Sequence, residues 1–179
     1  RLDSTNIIPA PEAAVVTNVG LEHTELLGDT AEQIAAEKAG IIKPGCEAVL
    51  YGQSQGVRAV VEDVCRRLEV PLTVTAPPRM LSAGPEGQTF TYLGAGPYHI
   101  SLLGEYQVSN AAVVLETVNV LRRRGWAISE DALNRGLSQA RWPGRMELAR
   151  RSPDVLLDGG HNPQCMEALA RSLQALYPG

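Results

Sequence analysis

Only two lysines occur in the 179 residues, Lys38 and Lys43, and neither follows a glycine-rich stretch. The sequence therefore holds no GxxxxGKS/T loop, and the chain alone has no phosphate cradle of that kind. Cysteine is scarce as well. Cys46, Cys65 and Cys165 are odd in number and lack CxxC spacing, which argues against a disulfide framework or a zinc site and suits reduced thiols. No apolar run reaches the roughly 18 residues of a membrane span, and no signal peptide is visible. No charge of one sign dominates: the net charge is −4. Neither nucleic acid nor a membrane is an expected partner. A weakly acidic surface still admits phosphate ligands, because local donors and metal hold them. The chain begins at Arg1 rather than at methionine. The expectation is a cytoplasmic, monomeric protein of which this is an internal segment.

The length suits one domain, or one domain with part of another. The composition, 44% hydrophobic and 20% charged, is that of a globular protein. Ala13 to Val19 and Glu47 to Tyr51 read as buried strands, with a shorter one over Pro71 to Thr75. Gly20 to Gly28 reads as an irregular loop. A helix should start at Thr30, with Gln33 as its capping-box partner, and stop near Gly40. Val57 to Leu68 has helical spacing. Pro77 to Gln88 reads as a loop or meander, followed by a hairpin of Thr89 to Leu93 with Tyr98 to Leu103. Helices are expected over Ser109 to Arg124, Glu130 to Ala140 and Cys165 to Tyr177, with a short strand at Val155 to Leu157. The pattern predicts an α/β fold: a parallel sheet, an antiparallel hairpin addition, and the opening unit of a second α/β domain.

Polar residues at strand ends are the candidates for chemistry, because ligands of open α/β sheets bind beyond the carboxyl ends of strands. His23 follows the first strand and suits a metal ligand, an acid/base group or a plain loop histidine. Lys38 lies late in the first helix, where a solvated lysine complements the helix C-terminus. Asp158 ends a strand and precedes Gly159-Gly160-His161-Asn162-Pro163, which is either a ligand-contacting cluster or ordinary turn chemistry. Arg145, in Trp142-Pro143-Gly144-Arg145, suits phosphate or carboxylate recognition or a structural salt bridge.

Six segments carry a resemblance. Arg1 to Asn6 looks like the tail of GGRxDxTN, and Thr17 to Thr30 is similar to TNIGxDHxxxLGxT. Glu37-Lys38-Ala39-Gly40-Ile41-Ile42-Lys43 matches EKAGIxK, and Leu103 to Ala111 is like GxHQxxNA. Trp142 to Glu147 matches WPGRxE, and Asp158 to Pro163 is similar to DGAHNP. In this order and spacing the chain resembles the folylpolyglutamate/dihydrofolate synthase family, within the wider Mur ligase group.

The resemblance implies a P-loop-type ATPase domain whose latter part is residues 1–140, followed at 141–179 by the start of a Rossmann-like ligase domain. It implies an ATP-dependent carboxylate–amine ligase that adds L-glutamate to a folate or dihydropteroate carboxylate through an acyl phosphate. His23 corresponds to a Mg²⁺ ligand, and Lys38 to a carbamylated lysine that positions metal and phosphate. Asn110, Arg145 and Asp158 correspond to ATP contacts, His161 to a group near the phosphates, and Asp3 to a substrate contact at the pteridine. Carbamylation needs a neutral amine, so Glu37 is expected to point away from Lys38. There are two departures: Tyr106 stands where the family often has histidine, and Gly160 replaces alanine, which is expected to loosen that turn. The family's phosphate loop is expected to precede Arg1, so the isolated chain is expected to be inactive. The rival readings are a Mur ligase of peptidoglycan synthesis and a non-catalytic nucleotide-binding remnant.

Overall fold

The structure is a computed structural model that describes residues 4–21 and 24–177. It divides into two compact units, Arg1–Ala76 with Val113–Ala127, and Pro77–Ala112 with Ile128–Gly179.

The first unit is built on a parallel sheet, β1 (Ala13–Val16), β2 (Glu47–Leu50) and β3 (Leu72–Val74), in that spatial order. Parallel strands need crossovers. The short α1 (Thr24–Leu27) and α2 (Ala31–Lys38) supply the first, and α3 (Gln55–Arg67) supplies the second. The loop expected over Gly20 to Gly28 thus contains a helical turn; Glu25 in its first turn suits a helix start. Thr30 caps α2 as expected. Its hydroxyl accepts from Gln33 N at 3.2 Å, and Gln33 Oε1 accepts from Thr30 N at 3.2 Å and Asp29 N at 2.7 Å. Alternation along the strands covers the sheet on both faces. Ala14, Val16, Ala48 and Leu50 pack with Ile34, Val57 and Val61, whereas Val49 packs with Val113 and Val120.

The second unit contains an antiparallel meander of β4 (Arg79–Gly84), β5 (Gly87–Tyr92) and β6 (Ala95–Ile100). The expected hairpin is therefore three-stranded. The prolines of the preceding stretch fall outside β4, at Pro77 and Pro78 before it and Pro85 in the turn, where they remove no ladder hydrogen bond. The long helix α4 (Glu105–Arg123) starts four residues before Ser109, and its later half belongs to the first unit. Gly104, at φ +96°, opens it and accepts from Gln107 N at 2.9 Å. Next comes α5 (Glu130–Gln139), capped by the Ser129 hydroxyl. An unexpected strand, β7 (Glu147–Arg150), pairs antiparallel with β8 (Val155–Leu157), and α6 (Pro163–Leu176) closes the chain. Pro163 at the first turn and the Asn162 cap start α6 two residues before Cys165. Among the described residues no helix is long and apolar enough to cross a membrane.

Candidate functional site

Arg145 and Asp158 meet at the ends of the β7–β8 hairpin. Trp142-Pro143-Gly144-Arg145 forms a turn in which Arg145 N donates to Trp142 O at 3.2 Å. Gly144 takes φ +71°, the conformation that favours glycine at the third turn position, after proline at the second. Glu147 closes the turn by accepting from Gly144 N at 2.8 Å. Gly159 N donates back to Gly144 O at 2.7 Å, which brings the two loops together. A Cβ on Gly159 would lie 2.7 Å from Arg145 Nη1, so the guanidinium is seated against bare backbone. That guanidinium is exposed and forms no ion pair among the described residues.

Asp158 is the centre of this cluster. One carboxylate oxygen accepts from Met146 N at 2.9 Å and the other from Gly160 N at 2.6 Å. Met146 needs that bond: its backbone is left-handed at φ +44°, and its side chain is 1% exposed. A non-glycine residue in that region is held there by its surroundings. Each carboxylate oxygen keeps a second lone pair, which can accept from a hydroxyl. At Gly160 a Cβ would sit 2.8 Å from Asp158 Oδ1, so the alanine of the family pattern would have to shift this turn. His161 Nδ1 donates to Gly159 O at 3.0 Å, which leaves Nε2 facing outward on an exposed ring.

Asn110 lies in the first turns of α4, half-buried, and its Nδ2 donates to Gln107 Oε1 at 3.0 Å. Tyr106, which stands where the family often has histidine, also packs here. Its ring lies over Gly104 beside the Met146 sulfur: a Cβ on Gly104 would be 2.6 Å from the ring and 3.0 Å from Sδ. Burial pushes the phenol above its ordinary 10.0, and the Asp158 carboxylate raises it further. Arg145 and a hydrogen bond with Gln107 pull the other way. Tyr106 thus feels both charges of the hairpin site. Asn110, Tyr106, Arg145, Asp158 and His161 all belong to the second unit.

Lys38 belongs to the first unit. It is the half-buried last residue of α2, followed by a 3₁₀ turn over Ala39–Ile41. Glu37 lines a cavity of about 790 Å³ with Lys43, Asp63 and Arg67, and Lys38 is not among its lining residues. Asp3 and His23 lie outside the described residues. Among the described residues no three His, Cys, Asp or Glu side chains converge to hold a metal ion.

No protein-family model matches the chain, but curated relatives and solved structures do. The dihydrofolate synthase/folylpolyglutamate synthase of Bacillus subtilis (strain 168) is 35% identical, over 99% of this chain and 43% of its own length. The folylpolyglutamate synthase of Lacticaseibacillus casei is 32% identical, over 98% of this chain and 42% of its own. The solved FPGS–AMPPCP–folate complex superposes with a TM-score of 0.91 at 31% identity, over 99% of this chain and 45% of that one. The chain thus spans less than half the length of each.

Proposed function

This chain belongs to the folylpolyglutamate/dihydrofolate synthase family, and we propose that it contributes part of the ATP site of a ligase adding L-glutamate to a folate or dihydropteroate carboxylate. In that reaction the γ-phosphoryl group of ATP passes to the substrate carboxylate, releasing ADP. The glutamate amine then attacks the acyl carbon, phosphate leaves, and an amide forms with loss of a proton. The observation that carries the reading is the Asp158 clamp. It joins the loop of an exposed guanidinium to a carboxylate with spare lone pairs, a pairing suited to phosphate and hydroxyl groups.

Within this proposal Arg145 and Asp158 contact ATP, joined by Asn110, while His161 offers Nε2 near the phosphates. Asp3 serves the pteridine side. Magnesium binds mainly through phosphate oxygens and waters, with one or two protein ligands. In this reading His23 and a carbamate on the half-buried Lys38 would be those ligands. When bound, the ion neutralises charge on the transferring phosphoryl group. The ligase boundary is proposed at residue 140, with 141–179 opening the second domain. The intact protein is taken as a cytoplasmic monomer.

The test is ligation by the full-length protein offered dihydropteroate, tetrahydrofolate and a UDP-muramoyl precursor in competition. Glutamate- and ATP-dependent turnover of a pteroyl substrate is expected, lost in Arg145→Ala and Asp158→Ala. Preference for the muramoyl substrate would replace the reading with a cell-wall ligase. No ATP turnover at all would leave a non-catalytic module. The 179-residue polypeptide alone, which has no GxxxxGKS/T loop, is expected to be inactive.

A further inference from the structure

One buried polar group lies outside this account. β5 turns Gln88, Phe90 and Tyr92 inward in strict alternation. Two are aromatic, but the first is a carboxamide only 2% exposed. Burying an amide is costly unless it is hydrogen-bonded, and Gln88 Nε2 spends both hydrogens on one loop. It donates to Leu102 O at 2.8 Å and to Gly104 O at 2.9 Å. Gly104 O also accepts from Gln107 N in the first turn of α4. The same glycine is left-handed and has the Tyr106 ring and the Met146 sulfur where a Cβ would stand.

We propose that Gln88 is a positioning residue for nucleotide binding: its buried carboxamide fixes the loop Leu102–Gly104 and thereby aims the α4 residues Tyr106, Gln107 and Asn110. The inference rests on reading Asn110 as an ATP contact. The meander is then a base plate for the ATP side. Two donated hydrogen bonds hold carbonyls two residues apart, so both peptide planes of the loop are set before the helix begins. Asn110 is aimed in turn through Gln107, which accepts its amide hydrogen.

The test uses the full-length protein and compares Gln88→Met, Gln88→Glu and Asn110→Ala. Gln88→Met keeps the shape and removes both donors, and the KM for ATP should rise roughly tenfold with a smaller change in kcat. Gln88→Glu sets a carboxylate against two carbonyl oxygens. Protonation restores one donor, so its ATP affinity should recover as pH falls from about 8.5 to about 6, while Gln88→Met stays flat. Hydrogen exchange of the unmodified protein gives a second readout, independent of whether the variants fold: amides over residues 102–110 should slow on ATP saturation. If Asn110→Ala binds ATP normally, the site reading fails and takes this inference with it. If Asn110→Ala weakens binding but Gln88→Met does not, only the inference about Gln88 fails. It also fails if Gln88→Glu shows no pH recovery, or if exchange over 102–110 ignores ATP.

Discussion

The two units hold themselves together by different means. In the first, a parallel sheet is covered on both faces by aliphatic side chains, and its described buried residues are apolar apart from Thr75 and Glu116. Hydrogen bonds from side chains serve mainly at edges, as in the Thr30–Gln33 cap. In the second, the geometry of the candidate site hangs on two polar side chains, Gln88 and Asp158, each bonded twice to backbone. The difference separates stability from aim. Apolar burial is non-directional and tolerates small displacements. A carboxamide or carboxylate holding two backbone groups specifies orientation, which contacts to a nucleotide require.

The comparison is sharpened by substitutions that should divide along it. The largest effect is expected in the sheet of the first unit. Leu50 is 0% exposed, and Leu50→Ala should cost about 2–5 kcal/mol, read by chemical denaturation, with ATP affinity of the folded protein nearly unchanged. Asp158→Ala should cost less stability, about 1.5–3 kcal/mol for bonds to a charged group, yet weaken ATP binding at least about tenfold. If Leu50→Ala weakened ATP binding as strongly as Asp158→Ala, the separation of stability from aim would break. Thr30→Ala removes the cap of α2 and should cost about 1 kcal/mol by the same denaturation measurement, without altering ATP affinity.

A pH experiment probes the second unit alone. The phenol of Tyr106 is held above its ordinary 10.0 by burial and by Asp158, against the opposing pull of Arg145. The unfolded chain therefore releases this proton first. The group's contribution to stability is complete below about pH 10 and is lost as pH rises toward the folded value. Because Tyr177, bonded to Asp154, is raised as well, ultraviolet titration should identify Tyr106 by the signal that Tyr106→Phe removes, and place it above the ordinary 10.0. Arg145→Ala should move it higher still, and Asp158→Asn lower. Shifts in the opposite sense would remove Tyr106 from the neighbourhood of the two charges.

The same division explains what could be read from the sequence. The β-branched run Ala13 to Val19, the helical spacing from Val57 and the Thr30–Gln33 box all announce themselves by period or by a local capping pattern. They located the three strands, α2 and α3 of the first unit, although β1 ends at Val16 and α1 lies in what read as a loop. The early start of α4 was missed because Gly104 opens it through backbone conformation, and Ser109 offered a more familiar cap. β4 was missed because prolines crowd its flanks rather than its interior. β7 has one half-buried residue and three exposed ones, so no alternation marks it. Arg145 and Asp158 were legible as polar residues beside turn signals. Their convergence was not, because it depends on Gly159 N reaching Gly144 O across fifteen positions of sequence. Gln88 carried a faint signal, a polar residue in an otherwise aromatic row. Only burial shows that it is a clamp.

The smallest effect expected is a change in rate, and it bears on the same division. Cys46 and Cys65 are buried in the first unit, whereas Cys165 is exposed in the second. Burial, the neighbouring Cys46 and Glu62 push the Cys65 thiol from 9.0 up to about 11, so at pH 8 it offers almost no thiolate. Cys165 stands in the first turn of α6, its N–H donated to Asn162 Oδ1 at 2.8 Å, and its Cβ lies against Gly160. Thiol labelling of the native protein at pH 8, mapped by peptide mass, should find Cys165 fast and Cys46 and Cys65 slow, and Cys165→Ser should abolish the label at that position. Because the Cys165 Cβ adjoins the turn held by Asp158, saturating ATP should slow the labelling. Fast labelling of Cys46 or Cys65 would mean that the first unit opens more readily than its apolar packing implies. Labelling indifferent to ATP would place the nucleotide away from the Asp158 turn, and the division of labour between the two units would need redrawing.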